Sequence, residues 1–269
     1  MTNGALISDQ EFLQFKNWIY QNAGITLSME KKALVTCRLA KRIQHYRFDS
    51  YGQYFKLLVS GKHPQEIQTA VDLLTTNETY FFREPKHFRF LAERVLNSPA
   101  RGRPFRVWSA ASSYGQEAYS TAMLLADKLG AQPWEILATD ISSLVLDKAR
   151  TGHNPIEQAQ HIPKEYLERF CLKGFGAQEG TFLIDGSLRN RVRFQPINLT
   201  APLPSLGEFD VVFLRNVMIY FNQETKAGVI GRIARLIRPG GYLLIGHSES
   251  LSGIPHQLET VAPAIYRVP

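Results

Sequence analysis

Cysteine is almost missing from these 269 residues, with Cys37 and Cys171 the only two and far apart. Two isolated thiols cannot form a disulfide framework, and their scarcity predicts a reducing, cytoplasmic setting. The seven histidines show no metal-ligand spacing, so no metal site is expected. No membrane span fits, because Arg215 or glycines break the longest apolar stretches. A secretory signal is also not expected, since the first residues lack a basic segment ahead of an apolar core. Two nucleotide fingerprints are missing as well: there is no Gly-x-Gly-x-x-Gly turn and no Gly-x-x-x-x-Gly-Lys-Ser/Thr phosphate loop. Finally, acids are missing between Lys31 and Phe48, where six Lys or Arg residues fall.

The chain carries a net charge of +7, and that acid-free run makes its distribution uneven. Such a cluster suits a nucleic acid, a membrane surface or an acidic protein, and composition does not choose among them. Helical spacing organises the first 75 residues. Ser8-Asp-Gln-Glu11 is a capping box ahead of Phe12, Phe15 and Ile19; Gly24 ends that helix, and Ser28 is expected to cap the next. On this second helix Val35, Leu39, Ile43 and Tyr46 form an apolar stripe. Arg38, Lys41, Arg42 and His45 form a separate basic stripe, either a solvated face or a docking surface. Further helices are predicted from residue 49 or 50 to about 60, and from Pro64 to about 74.

Residues 76–85 read as a linker, with Pro85 suited to the first turn of a helix. From residue 105 the pattern becomes strand, helix, strand, helix, which implies a parallel sheet with right-handed crossovers. The stretch 161–194 departs from it. A short helix and a glycine-rich turn precede segments 181–184 and 188–194, which read as a hairpin around Asp185-Gly186, a small antiparallel insertion. Strand 209–214, a helix from about 223 to 236 and strand 242–246 restore the alternation, and residues 259–268 close as antiparallel strands. The expected organisation is a helical domain (1–75), a linker (76–85) and an α/β domain (86–269) carrying the insertion.

Five short motifs stand in a fixed order on this plan, at residues 75–83, 107–117, 138–140, 196–199 and 209–221. The turn Ser109-Ala-Ala-Ser-Ser-Tyr-Gly-Gln-Glu117 is small enough for close backbone approach where a strand becomes a helix, and its lack of a phosphate nest suggests a nucleoside without phosphates. Asp140 ends the next strand, where an acid can accept from both ribose hydroxyls or cap the following helix. Asn198-Leu199 follows a strand, where an amide can read an adenine edge and leucine can pack on its face. Pro239-Gly-Gly turns into a buried strand.

Asn77-x-Thr79-x-x-x-Arg83, the turn before Glu117, Arg215-Asn216-Val-Met-Ile-Tyr220-Phe and Gly246-His-Ser-Glu-Ser250 together resemble the chemotaxis-receptor glutamate methyltransferases, the CheR family. The likeness covers nearly the whole chain. It implies a Rossmann-like S-adenosylmethionine-dependent methyltransferase domain with an N-terminal all-helical domain, receptor glutamates as acceptors and S-adenosylhomocysteine as product. By that resemblance Asn77, Thr79 and Arg83 close over the cofactor, Glu117 pairs with its ammonium and Asp140 with its ribose. Asn198, Leu199, Arg215 and Asn216 complete the pocket, and Arg83 and Tyr220 stand near the transferred methyl. Where the family usually has Gly-Glu-Glu-Pro-Tyr-Ser, this chain has Gly115-Gln-Glu-Ala-Tyr-Ser120, so any role of the first acid is lost. Arg38, Lys41 and Arg42 are expected to dock the receptor's cytoplasmic helices. Gly174 and Gly176 resemble the Gly-x-Gly insertion of members that bind a receptor C-terminal peptide. The implied protein is a cytoplasmic monomer recruited to receptor arrays, without nucleic acid or membrane insertion. The alternatives are a non-catalytic S-adenosylmethionine-binding regulator and a nucleic-acid methyltransferase, although no Asn/Asp-Pro-Pro-Tyr/Phe motif occurs.

Overall fold

Ser8 opens the first helix, α1 (Asp9–Ala23), with a complete capping box: Glu11 N donates to Ser8 Oγ at 3.2 Å, and Ser8 N to Glu11 Oε2 at 2.8 Å. Gly24 closes it at φ 69°, a left-handed turn that costs glycine nothing sterically. The computed structural model describes residues 6–97 and 102–269. A 3₁₀ turn at Met29–Lys31 leads into α2 (Lys32–Tyr46). Ser28 makes no side-chain capping bond there, so that expected cap is replaced by the turn. α3 (Tyr51–Val59), capped by Ser50, and α4 (Pro64–Leu74) complete the bundle. Its core is Phe12, Phe15, Ile19, Leu39, Tyr51 and Tyr54, all nearly fully buried. Each such side chain contributes roughly 1.5–3 kcal/mol by leaving water. This helical unit, Met1–Thr76, also includes the distant segment Tyr220–Thr225. Thr26 N donates to the Tyr220 carbonyl at 2.8 Å, and Asn222 Nδ2 to the Tyr20 hydroxyl at 2.9 Å.

The second unit is Asn77–Ile219 with Lys226–Pro269. It begins with α5 (Pro85–Phe90), whose last turn widens into a π turn at Leu91–Val95. Then follow β1 (Phe105–Ser109), α6 (Gln116–Leu129), β2 (Trp134–Asp140), α7 (Ser143–Thr151), β3 (His153–Pro155), α8 (Lys164–Phe170), β4 (Cys171–Lys173), β5 (Thr181–Ile184), α9 (Gly186–Arg189) and β6 (Val192–Pro196). The chain ends with β7 (Phe209–Leu214), α10 (Gln223–Ala234), β8 (Ile237–Ile245), β9 (Glu259–Ala262) and β10 (Ile265–Arg267). The main sheet runs β6-β2-β1-β7-β8-β10-β9. Its first five strands are parallel, and β10 and β9 are antiparallel. Phe209 to Leu214 are all buried, as expected of a central strand covered on both faces.

A three-stranded antiparallel sheet, β3-β5-β4, forms the insertion. The hairpin expected around Asp185-Gly186 does not form. Asp185 accepts from Ser187 N at 2.8 Å and starts the short helix α9. β6 then leaves the insertion and pairs in parallel with β2 at the edge of the main sheet. An Asp-Gly pair between two apolar runs carries the same local signal for a tight turn and for a helix start.

Candidate active site

The five parallel strands carry the motifs at or just beyond their carboxyl ends. β1 runs into the small-residue turn, β2 ends on Asp140, β6 leads to Asn198, β7 to Arg215 and Asn216, and β8 to Gly246. β1 pairs with β2 on one side and β7 on the other, so the switch point of the sheet lies at the turn after β1. Within it Gly115 has φ 87°, and a Cβ there would stand 3.1 Å from both Ala149 Cβ and Phe194 Cζ. Ser113, at φ 49°, turns its amide to Asp140 Oδ2 at 2.9 Å, while Ser142 N reaches Oδ1 at 2.9 Å. Two backbone amides thus fix the Asp140 carboxylate. The cap of α7 is Ser142 rather than Asp140.

Beneath this turn lies an ionic centre. Arg215 is 5% exposed. Its Nη1 donates to Glu117 Oε2 at 2.9 Å, its Nε and Nη2 lie 3.3 and 3.1 Å from Glu84 Oε2, and Nη2 also reaches the Arg83 carbonyl. Burial pushes the Glu117 carboxyl up, while Arg215 and the Ser109 hydroxyl, at 2.7 Å, pull against it. For Glu84 burial acts upward too, but Arg215, His247 N and Asn216 together hold it below the usual carboxylate range. His87 is fully buried beside Glu84. Desolvation, reinforced by Arg215, pushes it down to about 3, so its ring is neutral at pH 7. Donor atoms of Glu84, His87 and His247 lie within 4.8 Å of one another, a cluster the sequence spacing did not reveal. The Glu84 oxygens are already taken up by Arg215, Asn216 Nδ2 at 3.3 Å and His247 N at 3.2 Å.

The segment before α5 joins the same unit. The Asn77 carbonyl accepts from Ser113 Oγ at 2.8 Å. Thr79 is half-buried. Arg83 donates to the Glu78 carbonyl at 3.0 Å and lies over the Tyr80 ring. Asn216, at φ 58°, gives its amide to Glu249 Oε2 at 2.9 Å, and Gly246 N reaches the same oxygen at 2.6 Å. A Cβ on Gly246 would fall 2.6 Å from Asn216 Nδ2 and 2.7 Å from Glu249 Oε2, so a larger residue would push both side chains aside. Of the six non-glycine residues at positive φ among the described residues, Phe82, Ser113 and Asn216 belong to these motifs and Glu84 directly follows one, and such strain gathers at functional sites. The expected adenine reader, Asn198, forms a local turn with one end of its amide. Its Oδ1 accepts from Thr200 N at 3.0 Å and Thr200 Oγ1 at 2.7 Å, a local turn that an Asn two residues upstream readily makes. Leu199 is buried, and its carbonyl accepts from Arg232.

In the helical unit the basic stripe is only partly free. Arg42 grips the buried Glu66 with Nε at 2.7 Å and Nη2 at 2.5 Å, while Tyr54 and Tyr46 also donate to that carboxylate. Arg38 donates to the carbonyls of Leu74 and Thr75, each at 2.9 Å, closing the carboxyl end of α4. Lys41 is exposed. Spacing along α2 could not reveal Glu66, which arrives from another helix. Tyr220 belongs to this unit as well. In the small sheet β4 is an edge strand; Phe175, between Gly174 and Gly176, is 87% exposed and Leu172 54%.

Sequence reading missed Glu84, His87 and Glu249, although Glu84 follows Arg83 directly and Glu249 lies inside the Gly246–Ser250 motif. The donor set fits a cationic nucleoside cofactor. It offers two acids, the buried Asp140 and Glu117 with a side chain 13% exposed, a glycine turn that a Cβ would fill, and a buried Ser112 hydroxyl with no partner among the described residues. A search of family models matches residues 77–266 to the CheR methyltransferase S-adenosylmethionine-binding domain and residues 10–75 to the CheR all-alpha domain. A chemotaxis protein methyltransferase of Escherichia coli is 40% identical over 269 residues, covering 99% of this chain and 93% of its own length. One from Salmonella typhimurium is 38% identical, covering 99% and 92%. Chemotaxis protein methyltransferase 2 of Pseudomonas aeruginosa is 40% identical over 260 residues, covering 96% and 92%. With a Rossmann-like sheet, its motifs at the carboxyl ends and matches across both parts, the chain belongs to the CheR family of S-adenosylmethionine-dependent methyltransferases.

Proposed function

We propose that this protein methylates glutamate side chains of chemoreceptors, forming glutamyl methyl esters for adaptation. The observation that carries the site assignment is the Glu117–Arg215–Asp140 arrangement at the switch point of the parallel sheet, inside a chain of this family. Bound S-adenosylmethionine supplies an electrophilic methyl group on a sulfonium. Glu117 meets the ammonium of its methionyl end and Asp140 its ribose hydroxyls. Asn198 and Leu199 wall the adenine, with Leu199 giving apolar surface. Asn77, Thr79, Arg83, Arg215 and Asn216 complete the enclosure. The acceptor glutamate, with an ordinary pKa near 4.3, is already ionised at pH 7, so no residue need act as general base. Arg83 and Tyr220 orient that carboxylate. The remaining gain comes from alignment and from excluding water around two opposite charges that cancel.

Docking on acidic receptor helices falls to α2, but with a revised set of charges. Lys41 and the Arg38 guanidinium, bonded only to neutral acceptors, contribute positive field, whereas the charge of Arg42 is cancelled by Glu66. The open edge of β4, with exposed Leu172 and Phe175, suits strand addition by a receptor C-terminal peptide at the Gly174–Gly176 turn. Among the described residues no helix is long and apolar enough to cross a membrane. The working location in this reading is the cytoplasm, at receptor arrays, as a monomer. Tritium transfer from labelled S-adenosylmethionine tests the whole reading, with receptor membranes and RNA offered side by side. Base-labile label on receptors supports it; label on RNA, or on neither, overturns it.

A further inference from the structure

The guanidinium of Arg83 is fastened within its own segment: Nη1 donates to the Glu78 carbonyl at 3.0 Å, and the group lies 5.6 Å above the Tyr80 ring. The backbone on either side of it is fixed from elsewhere. Phe82 sits at φ 52° and Glu84 at φ 58°, so Arg83 stands between two residues in the left-handed region. L residues of this kind stay there only when their surroundings impose it. After Arg83, the Glu84 carbonyl accepts from His87 N at 3.0 Å, and Asn216 Nδ2 and His247 N hold its side chain. Before Arg83, Phe82 N donates to Ser120 Oγ at 2.9 Å. The Phe82 ring packs on Phe88 and Tyr166, with centroids 5.0 and 5.7 Å away.

Ser120 lies one turn into α6 and is fully buried, at a position where alanine would be the better helix former. Its own proton is already placed, since Oγ donates to the Gln116 carbonyl at 2.7 Å, four residues back. The hydroxyl therefore meets Phe82 N as an acceptor. Bonding to a carbonyl that the helix already uses adds little to α6, so the bond to Phe82 is what separates this serine from alanine. Water cannot reach a fully buried position to replace it. We propose that Ser120 is a positioning residue for methyl transfer: by accepting from Phe82 N it locks the left-handed turn before Arg83 and so aims the Arg83 guanidinium at the acceptor carboxylate. The inference rests on the reading of Arg83 as the group that orients that carboxylate. It gives the last residue of the motif at 115–120 a part in rate, where Glu117 of the same motif acts on affinity.

Methylation of receptor membranes by the full chain tests it, in a cycle of Ser120→Ala, Arg83→Ala and the double variant. Ser120→Ala should lower kcat by about tenfold, since a small misplacement of an orienting group is costly. Receptor KM, calorimetric affinity for S-adenosylhomocysteine and the urea midpoint should stay near wild type. A general loosening of the fold would move all three together, and that result overturns the proposal. In the Arg83→Ala background the same substitution should have no further effect, because the group it aims is gone. An unchanged kcat in Ser120→Ala overturns the proposal, and so does an equal fold-loss in both backgrounds. Ser120→Thr keeps the hydroxyl and should recover most of the rate. A rate as low as that of Ser120→Ala overturns the role, even where Arg83→Ala is too slow to measure. If Arg83→Ala itself keeps the wild-type kcat, the reading of Arg83 fails and the role of Ser120 with it; if Arg83→Ala is slow and Ser120→Ala is not, only the role of Ser120 falls.

Discussion

Arg42 and Glu66 form a two-point ion pair between α2 and α4, with bonds of 2.7 and 2.5 Å around a carboxylate that is 6% exposed. Removing one partner of such a pair strands the other. Arg42→Ala should therefore destabilise the helical unit by about 2–4 kcal/mol, read as a lower urea midpoint. Lys41→Glu should leave the midpoint within about 0.5 kcal/mol of wild type. It should cut receptor methylation several-fold at low salt, because exposed charges set encounter rate. Equal methylation by Lys41→Glu and wild type at low salt would remove α2 from docking.

Asp140 is expected to act through affinity. Asp140→Ala leaves two ribose hydroxyls and two backbone amides without their acceptor. The loss should be about 1–3 kcal/mol in S-adenosylhomocysteine binding by calorimetry. Wild-type affinity in this variant would displace the cofactor from the β2 terminus.

His87 makes the α/β unit sensitive to mild acid. An unfolded histidine takes up its proton near 6.5, whereas in the fold His87 stays neutral down to about 3. Between those values the unfolded chain binds more protons, so stability falls as pH falls, by up to about 1.4 kcal/mol per pH unit. Glu84 contributes in a lower window: its depressed carboxyl loses stabilisation only as pH drops below the usual 4.5. Urea midpoints between pH 7.5 and 5 should decline for wild type and flatten for His87→Gln. Identical slopes would show that buried His87 does not govern this window.

The turn at Gly174 should control tethering without touching chemistry. A Cβ there would collide with the Gln178 carbonyl, so Gly174→Ala must rearrange the loop beside β4. KM for receptors with an intact C-terminal tail should rise, kcat should hold, and tail-less receptors should show no change, as expected of lost effective concentration. A fall in kcat on tail-less receptors would place the loop in catalysis instead.

Periodicity and turn chemistry carried much of the architecture. Ser8 and Gly24 mark both ends of α1, Pro64 marks α4, and the change of period at Phe105 announces the sheet. Asp140 stood out because an acid ending a strand can accept several hydrogen bonds, and the amides of Ser113 and Ser142 donate to it. What stayed hidden depends on partners distant in sequence. Arg42 looked like part of a free basic face until Glu66 arrived from α4. Asp185-Gly186 read as a turn because nothing local says that β6 returns to β2. Glu84 and Glu249 drew no role from the sequence, because only the folded chain brings Arg215, Asn216 and Gly246 onto them.

The helical unit includes Tyr220–Thr225, so its final pieces are made long after its helices. During synthesis α1 to α4 leave the ribosome while the acceptor for Thr26 N and the partner of the Tyr20 hydroxyl have yet to be polymerised. At ordinary elongation rates that wait lasts on the order of ten seconds. The amino-terminal bundle is thus a nascent intermediate with unfilled bonds, and an excised fragment ending at Thr76 would carry the same gap permanently.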